Sequence, residues 1–393
     1  MTASERDRQH LDTRAVRAGR SDNYTALAPI LWATSTFVTE TVDDARRMAA
    51  GGDDARYYSR NANPTVRGFE EAIADLEGAE AARAYASGMG AVCGVVLGVC
   101  STGDHVVTQH QLYGHTQLFF QAVCPRLGID VTYVDATEPD AFVDAVVPGR
   151  TQLVFAETPS NPKLELVDLE RLGRIEGPVT VVDSTFATPM AQRPLEYGVD
   201  LVLHSATKAI SGHNDAVLGV VAGSSELIAW LKAFALLQGA VASPFDAMNG
   251  LRGLRTLGVR LRQQSQTALR IAEVLESHPQ VAAVHYPGLD SHPQRELARR
   301  QLELAGGLVA FDLHGGLDAG CRFVESTRVA RLATSLGGPE TLLTHPASTT
   351  HASLTPEELA RTGIGPGTVR LSAGLEHCGD VIDDIVQALA VLG

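Results

Sequence analysis

Short apolar runs alternate with longer amphipathic segments through the middle of the chain, between about residues 84 and 223. The runs have the length of buried strands, and the segments between them have helical spacing. The pattern predicts strands at residues 105–108, 131–135, 152–157 and 178–182, and helices at residues 113–126, 139–147 and 168–175. Strands that alternate with helices in this way favour an α/β fold, in which a mostly parallel sheet is covered on both faces.

Two further apolar runs, residues 201–203 and 217–222, enclose a polar corner that contains Lys208. We interpret this stretch as a strand, a tight turn and a second strand, which would limit the access of water to the lysine amine. Burial lowers the pKa of a lysine, and its neutral amine is a nucleophile towards aldehydes. A lysine near a turn is often simply solvated, but Asp183 directly follows the predicted strand at 178–182. An amine and a carboxylate at strand ends suit a cofactor that carries an aldehyde and a cationic ring.

Polar residues that follow the predicted strands should lie at one edge of the sheet, where the ligands of parallel sheets collect. The residues in this position are Tyr113, Glu157, Asn161, Asp183, Ser205 and Lys208. The small residues at 87–90 begin an apolar helix, and the N–H groups of such a helix start favour an anion such as phosphate. Close helix packing explains these small residues equally well.

The two ends of the chain differ from its middle. Residues 1–60 show little periodicity, so they form a candidate arm that contacts a neighbouring subunit. A long helical stretch at 245–277 leads into strands at 281–285, 307–313 and 368–374 and helices at 294–304, 317–326 and 381–392. We therefore predict three parts: the arm at 1–60, a cofactor-binding α/β domain at 61–250, and a smaller C-terminal α+β domain at 251–393.

Composition and charge exclude several function classes. With 45% hydrophobic and 20% charged residues among 393, the chain has the composition of a globular protein of about two domains. Its formal net charge of −14 argues against a nucleic acid as partner, because nucleic-acid binding depends on a positive surface.

The apolar and cysteine content bears on location. The run at residues 90–100 is too short to cross a bilayer, and the charged N-terminal residues do not resemble a secretion signal. We therefore expect no membrane partner and a cytoplasmic location. Five dispersed cysteines fit a reducing compartment better than a disulfide framework: Cys93, Cys100, Cys124, Cys321 and Cys378.

Specific motifs then occur in one order along nearly the whole chain: YSRNANPT, SGMGA, LYG, ETPSN, VVDSTFATP, HSATK with GHNDAVLG, SLGG, HPAST and VRLSAGLE. With these motifs the chain resembles the Cys/Met-metabolism family of pyridoxal-phosphate-dependent enzymes, which includes the cystathionine γ-synthase, cystathionine γ-lyase and methionine γ-lyase types. The resemblance implies the fold of type I pyridoxal-phosphate transferases, with a mostly parallel seven-stranded sheet and a smaller C-terminal α+β domain. It also implies pyridoxal 5'-phosphate as cofactor, without a metal.

The resemblance implies three catalytic residues. Lys208 would bind the cofactor aldehyde and transfer protons, Asp183 would keep the pyridine nitrogen protonated, and Tyr113 would stack on the ring and assist proton transfer to the leaving group. The phosphate would be held by Gly88, Met89, Ser205 and Thr207.

Tyr58 and Arg60 would reach the same phosphate from a neighbouring subunit, which implies a homo-oligomer, a dimer of dimers with shared active sites. Arg60 could instead pair with Asp53 or Asp54. His213 is a possible base, but local hydrogen bonding in its turn is the better interpretation.

The resemblance further implies a set of residues that bind the amino-acid substrate. Arg370 would bind the α-carboxylate, with help from Asn161 and the Ser335 segment. His115 stands where methionine γ-lyases often carry a cysteine and where cystathionine γ-synthases and γ-lyases commonly carry a glycine. Thr334 stands where enzymes that act on cystathionine commonly carry a glutamate. These two residues would suit a smaller, uncharged or differently polar γ-substituent. Ser184 follows Asp183 where asparagine is usual.

The implied activity is γ-elimination or γ-replacement on a γ-substituted L-amino acid of sulfur amino-acid metabolism. Alternatives within the family are an O-acetylhomoserine sulfhydrylase and a specialised γ-lyase or synthase of secondary metabolism. A non-catalytic binding protein with this fold is also open, although the presence of Lys208, Asp183 and Arg370 argues against it. A nicotinamide-dependent dehydrogenase is disfavoured because the first βαβ unit lacks the GxGxxG motif.

Overall fold

The computed structural model describes residues 9–50, 56–352 and 354–393. Within these residues, seven strands form the larger sheet: β1 Ala81–Tyr85, β2 His105–Gln109, β3 Asp130–Val134, β4 Thr151–Glu157, β5 Val179–Asp183, β6 Leu201–His204 and β7 Gly219–Gly223. Their order across the sheet is β1-β7-β6-β5-β4-β2-β3. Strand β2 pairs in parallel with β3 and β4, and β4 pairs in parallel with β5, whereas β7 runs antiparallel to β1 and β6. The predicted α/β class and the mostly parallel seven-stranded sheet are therefore confirmed.

Five strands form a second sheet, in the order β10-β11-β12-β9-β8. They are β8 Val281–His285, β9 Leu308–Leu313, β10 Arg331–Leu332, β11 Leu342–Thr344 and β12 Thr368–Ser372. Its central strands are antiparallel, and they pack with helices in a core that includes Tyr286, Phe311 and Phe323. The rings of Phe311 and Phe323 meet edge to face at 5.5 Å between centroids. The predicted C-terminal α+β sheet is thus present.

The helices in the described residues are α1 Leu11–Arg17, α2 Val42–Ala49, α3 Pro64–Glu77, α4 Gly88–Val99, α5 Gly114–Ala122, α6 Ala141–Asp144, α7 Leu169–Leu172, α8 Thr188–Ala191, α9 Ser225–Gln238, α10 Pro244–Leu254, α11 Leu257–Glu276, α12 Arg295–Gln301, α13 Gly316–Ser326, α14 Pro356–Arg361 and α15 Cys378–Ala390. In this part of the chain, no helix is both long enough and apolar enough to cross a membrane.

Internal contacts divide the chain into two compact units. The first comprises the described residues up to Gly98 together with Leu201–Gly258, and the second comprises Val99–Asp200 with Val259–Gly393. The three-part division at residues 60 and 250 stays a prediction.

Helix α3 in the first unit forms as its sequence predicts. Asn63 caps it by accepting the N–H of Thr65 at 2.9 Å, and Pro64 occupies the first turn, where a missing N–H costs nothing. Its predicted apolar stripe is buried: Val66, Phe69, Ile73 and Leu76.

Helix α9 was not predicted from the apolar pattern. Its sequence, SELIAWLKAFALLQ, is apolar on nearly every side, so it lacks the one-sided periodicity that marks an amphipathic helix. Ser224 caps it by accepting the N–H of Leu227 at 3.3 Å. The predicted helical stretch at 245–277 consists of two helices, because α10 ends at Leu254 and α11 begins at Leu257. The N–H of Thr256 turns back to the carbonyl of Gly253 and breaks the helical run.

Candidate active site

In the first unit, Lys208 lies in the corner between β6 and β7, so the predicted strand, turn and strand are confirmed. The two strands pair antiparallel from Leu201 with Gly223 to His204 with Val220. Thr207 fastens the corner, because its hydroxyl accepts the N–H of Leu218 at 2.8 Å. The side chain of Lys208 is partly buried. Its lowered pKa stays a prediction.

A buried polar pair, one member of which directly precedes the same corner in the sequence, holds the backbone of that corner in place. His204 Nε2 lies 2.5 Å from Glu77 Oε1, and both side chains are fully buried. Glu77 is the last residue of α3 and His204 is the last residue of β6. The pair therefore fixes the backbone from which Ser205 and Lys208 follow.

Helix α4 begins directly against this corner. A side chain on Gly88 would place its Cβ 2.7 Å from the Cβ and 2.8 Å from the Oγ of Ser205, closer than atoms of this kind approach. Ser87 caps the start of the helix by accepting the N–H of Gly90 at 2.9 Å. The Ser205 hydroxyl therefore lies at a helix N-terminus, where the dipole and N–H groups favour an anion.

Tyr58 and Arg60 lie at the surface of the first unit. Both side chains are exposed, and the Arg60 guanidinium stands 5.6 Å from the centre of the Tyr58 ring. Arg60 Nη1 also donates to the carbonyl oxygen of Leu236 at 3.1 Å. The alternative partners Asp53 and Asp54 fall outside the described residues. His213 makes the local bond expected of a turn histidine, with Nδ1 2.7 Å from the carbonyl oxygen of Ser211.

In the second unit, Asp183 ends β5 as predicted, and 8% of its surface is exposed. Thr185 orients it with two donors, since its N–H lies 3.0 Å and its hydroxyl 2.5 Å from Asp183 Oδ1. Two donors to one oxygen stabilise the carboxylate form of an aspartate. Asp183 therefore presents an oriented carboxyl group at the end of the strand.

Tyr113, Glu157 and Asn161 are joined by the Glu157 carboxyl group. Its Oε2 accepts the N–H of Tyr113 at 2.9 Å, and its Oε1 accepts the N–H of Asn161 at 2.9 Å. Glu157 ends β4 and is only 4% exposed. Burial first, and the Asp183 charge second, raise the pKa of Glu157 well above its usual value, while the two N–H donors and Arg370 oppose the rise.

Arg370 extends this chain of contacts. Its Nη1 donates to Asn161 Oδ1 at 3.0 Å, and its Nη2 donates to the carbonyl oxygen of Ser335 at 3.1 Å. Burial lowers the pKa of Arg370 to about 10. Both hydrogen-bond acceptors are neutral, while the nearby Tyr113 and Glu157 groups offset part of the effect of burial on the guanidinium pKa. A carboxylate ligand would balance the guanidinium charge more fully, and the planar guanidinium can offer it two parallel hydrogen bonds.

Ser335 carries a backbone conformation that non-glycine residues rarely adopt, with φ +117°. Such strain is typical of functional sites, where surrounding contacts hold the chain in place. Here it turns the Ser335 carbonyl towards Arg370. The neighbouring Thr334 side chain is exposed.

His115 follows Tyr113 by two residues, with ring centres 5.3 Å apart and planes tilted by 39°. A second imidazole, His351, is fully buried nearby, with Nε2 3.4 Å from the carbonyl oxygen of Leu112. Burial, with smaller contributions from the charges of Arg370 and His115, lowers the pKa of His351 to about 4, while the contact with the Leu112 carbonyl opposes this shift. His351 is therefore neutral at pH 7.

The contacts of three residues in this site were not predicted from the sequence: Asp183, Glu157 and His351. The Asp183–Thr185 pair has a local signal, because an aspartate followed two residues later by threonine often forms such a bond. Glu157 was recognised only as a residue at a strand end. The approach of His351 to Leu112 joins residues 239 apart and has no local signal.

The residues present fit pyridoxal phosphate by their chemistry. The close packing of Gly88 on Ser205 gives the first unit a helix start suited to phosphate, followed by the amine of Lys208. The second unit supplies the oriented carboxylate of Asp183 for a ring nitrogen. It also supplies a buried guanidinium for the carboxylate of an amino acid.

Comparisons with known proteins agree with this chemistry. A family model described as Cys/Met metabolism PLP-dependent enzyme matches residues 12–390. The chain is 44% identical to an O-succinylhomoserine sulfhydrylase from Pseudomonas aeruginosa, over 97% of this chain and 95% of the relative. It is 43% identical to an L-methionine gamma-lyase from Porphyromonas gingivalis, over 96% of both chains.

A comparison with solved structures also points to this family. The fold matches that of a cystathionine gamma synthase from Xanthomonas oryzae pv. oryzae, in complex with aminoacrylate and cysteine, with a TM-score of 0.90 and 40% identity. The match covers 97% of this chain and 98% of that one. Family model, sequences and fold thus coincide over almost the full length. The chain belongs to the Cys/Met-metabolism family of pyridoxal-phosphate-dependent enzymes.

Proposed function

We propose that this enzyme catalyses γ-elimination or γ-replacement on a γ-substituted L-amino acid, and that the residues described above carry it. The observation that carries the proposal is the buried Arg370 guanidinium with two neutral acceptors. Such a cation is a natural partner for the α-carboxylate of an amino acid. Asn161 and the strained Ser335 backbone would hold it in place.

Lys208 is the proposed site of cofactor attachment. The chain has three lysines, Lys163, Lys208 and Lys232. Lys163 forms a salt bridge with Asp312 at 3.0 Å, and Lys232 is exposed on α9. The position of Lys208 in the corner after β6 supports its role. Once displaced by the substrate amine, Lys208 would take the Cα proton, and a second proton must leave Cβ before the γ-substituent can depart.

Pyridoxal phosphate, when bound, supplies a cationic ring that withdraws the electrons left at Cα after the proton is removed. Asp183 would keep the ring nitrogen protonated, with its carboxylate held by Thr185. The phosphate would be bound by Gly88, Met89, Ser205 and Thr207. The Thr207 hydroxyl could donate its proton to the phosphate while it still accepts the N–H of Leu218.

Tyr113 is the proposed acid that protonates the leaving γ-substituent and the proposed stacking partner of the ring. Burial raises the pKa of its hydroxyl, and Arg370 partly offsets this rise. The hydroxyl therefore keeps its proton at pH 7, as an acid must before it donates. His115 and Thr334 add no fixed negative charge, so we propose a γ-substituent that is small or uncharged.

We propose further that the enzyme is a dimer of dimers in which Tyr58 and Arg60 complete the phosphate site of a neighbouring subunit. Large apolar side chains exposed on the first unit support subunit contacts, such as Val38 at 98% and Leu237 at 87%. The five thiols support a reducing location such as the cytoplasm.

One substrate panel tests the activity. Purified enzyme is incubated with methionine, cystathionine, O-acetylhomoserine or O-succinylhomoserine, each with and without cysteine or sulfide. Elimination gives 2-oxobutanoate and ammonia without an added thiol, whereas replacement gives a new thioether or thiol product only with one. Pyruvate from cystathionine would place cleavage at Cβ and contradict the γ-assignment. Cofactor absorption without turnover of any substrate would favour a binding protein instead.

Replacement by sulfide on an acylated homoserine is the second candidate. The 44% identity to the P. aeruginosa sulfhydrylase favours it. Homocysteine formed from O-succinylhomoserine and sulfide, faster than 2-oxobutanoate without sulfide, would select this candidate.

A further inference from the structure

Glu157 connects residues to which the proposed function gives separate tasks. Its two carboxyl oxygens accept the backbone N–H groups of Tyr113 and Asn161. Asn161 then accepts from Arg370, and Arg370 donates to the Ser335 carbonyl. One side chain therefore begins a continuous hydrogen-bonded path between the proposed acid and the proposed carboxylate-binding group.

Contacts on both sides of Glu157 hold its side chain and its main chain in place. Burying a carboxyl group is unfavourable unless hydrogen bonds replace water. In this case the replacing donors are the backbones of two site residues. Gln109 holds the Glu157 main chain from the other side, because its amide donates to the Glu157 carbonyl at 2.9 Å and accepts the Glu157 N–H at 3.0 Å. Both the backbone and the side chain of Glu157 are thus fixed.

We propose that Glu157 is a positioning residue that sets the backbone of Tyr113 and, through Asn161, the guanidinium of Arg370, so that acid catalysis and substrate binding depend on one carboxyl group. Tyr113 stands at the N-terminus of α5, where its N–H has no acceptor within the helix, and Glu157 supplies that acceptor. This inference rests on the proposed function of Tyr113 and Arg370.

The test compares Glu157→Gln with the wild-type enzyme loaded with cofactor. A glutamine keeps the length but turns an NH₂ group towards one of the two N–H donors, so one hydrogen bond is lost. The probe is L-norleucine, an amino acid without a γ-leaving group, whose binding is followed by the change in cofactor absorption. We expect its dissociation constant and the KM of the best substrate to rise about 10-fold or more, with a fall in kcat.

Asp384→Asn is the matched control. Asp384 is a buried carboxylate that accepts three backbone N–H groups, those of Arg328, Val329 and Ala330, at 2.8, 2.8 and 2.9 Å. None of these residues belongs to the proposed site. Its variant should lower the melting temperature but leave norleucine binding per bound cofactor unchanged.

The outcomes separate positioning from a structural role. If Glu157→Gln only lowers the melting temperature or cofactor content, as the control does, the inference is wrong. Should that variant not fold, Glu157→Asp, which keeps the carboxyl group but is one methylene shorter, gives the same readout, and wild-type affinity in it also overturns the inference. If Arg370→Lys weakens norleucine binding while the Glu157 variants do not, only the inference fails. If the wild-type enzyme neither binds norleucine nor turns over a γ-substituted amino acid, the proposed function fails.

Discussion

The guanidinium of Arg370 reaches two neutral oxygens with two of its nitrogens, so its replacement by a single ammonium changes geometry more than charge. We expect Arg370→Lys to raise the KM of the amino-acid substrate about 10- to 100-fold, because a charge-assisted hydrogen bond contributes about 1.5–3 kcal/mol. Steady-state kinetics measure the change, and the cofactor content of the purified variant is the control. An unchanged KM would show that another group binds the substrate carboxylate.

His351 gives a prediction about pH at the same scale. Its folded pKa of about 4 lies below the value of 6.5 in an unfolded chain, because burial opposes the charged ring. The unfolded chain therefore binds the extra proton between pH 6.5 and 4, and the stabilisation by neutral His351 is lost as the pH falls through this window. The melting temperatures of wild type and His351→Asn should converge from pH 7 to pH 4.5. A constant difference would contradict the assignment.

The location of a single residue was predictable from the sequence where that residue ends or closely follows a recognisable strand. Lys208 and Asp183 follow strands whose apolar residues are visible in the sequence, and the structure places both as expected. The hydrogen bonds of Glu157 were not predictable, because they depend on how closely two loops approach a strand end. Local periodicity contains no information about such distances.

At the scale of elements, the start of α4 and the corner after β6 depend on each other. Gly88→Ala would place a methyl group 2.7 Å from Ser205 Cβ, so the corner or the helix must shift. We expect weaker phosphate binding, seen as loss of about 10-fold or more in cofactor affinity during dialysis and reconstitution. In Gly365→Ala, the control, the new Cβ has only ordinary contacts at 3.5 Å and beyond. Equal cofactor affinity in both variants would disprove the role of this packing.

Among the helices, one-sided periodicity separates a correct prediction, α3, from a missed one, α9. Helix α3 has a cap, an opening proline and an apolar stripe, so its start and its buried face were both correct. Helix α9 is apolar all round, and no element was predicted there. Trp230 and Leu237 are exposed on this helix. If a second surface covers them, α9 needs no polar face, which explains why its sequence lacks an amphipathic pattern.

At the scale of the whole molecule, shared active sites make a quantitative prediction. Arg60→Ala and Lys208→Ala enzymes should each be impaired, whereas subunits unfolded together in equal amounts and refolded should regain activity. In a random mixture, half of the pairs are hybrids with one intact site of two, so about a quarter of wild-type activity should return. The control mixes each variant with itself. Without recovery in the mixture, Arg60 serves its own subunit.

The fold class was predictable from the alternation of strands and helices, and the cofactor from motifs spread over the whole chain. The leaving group was not, because it depends on the few side chains around Tyr113. His115 and Thr334 narrow its charge and size but do not select one compound.

The attachment of the cofactor to Lys208 is the claim on which the proposed mechanism depends. Borohydride reduction of the cofactor-loaded enzyme, followed by proteolysis and mass spectrometry, locates the modified amine. With only Lys163, Lys208 and Lys232 available as side-chain amines, the other two lysines are internal controls. We predict a phosphopyridoxyl group on Lys208 alone. A label on Lys163 or Lys232 with Lys208 unmodified, or no label in an enzyme that turns over its substrate, would contradict this.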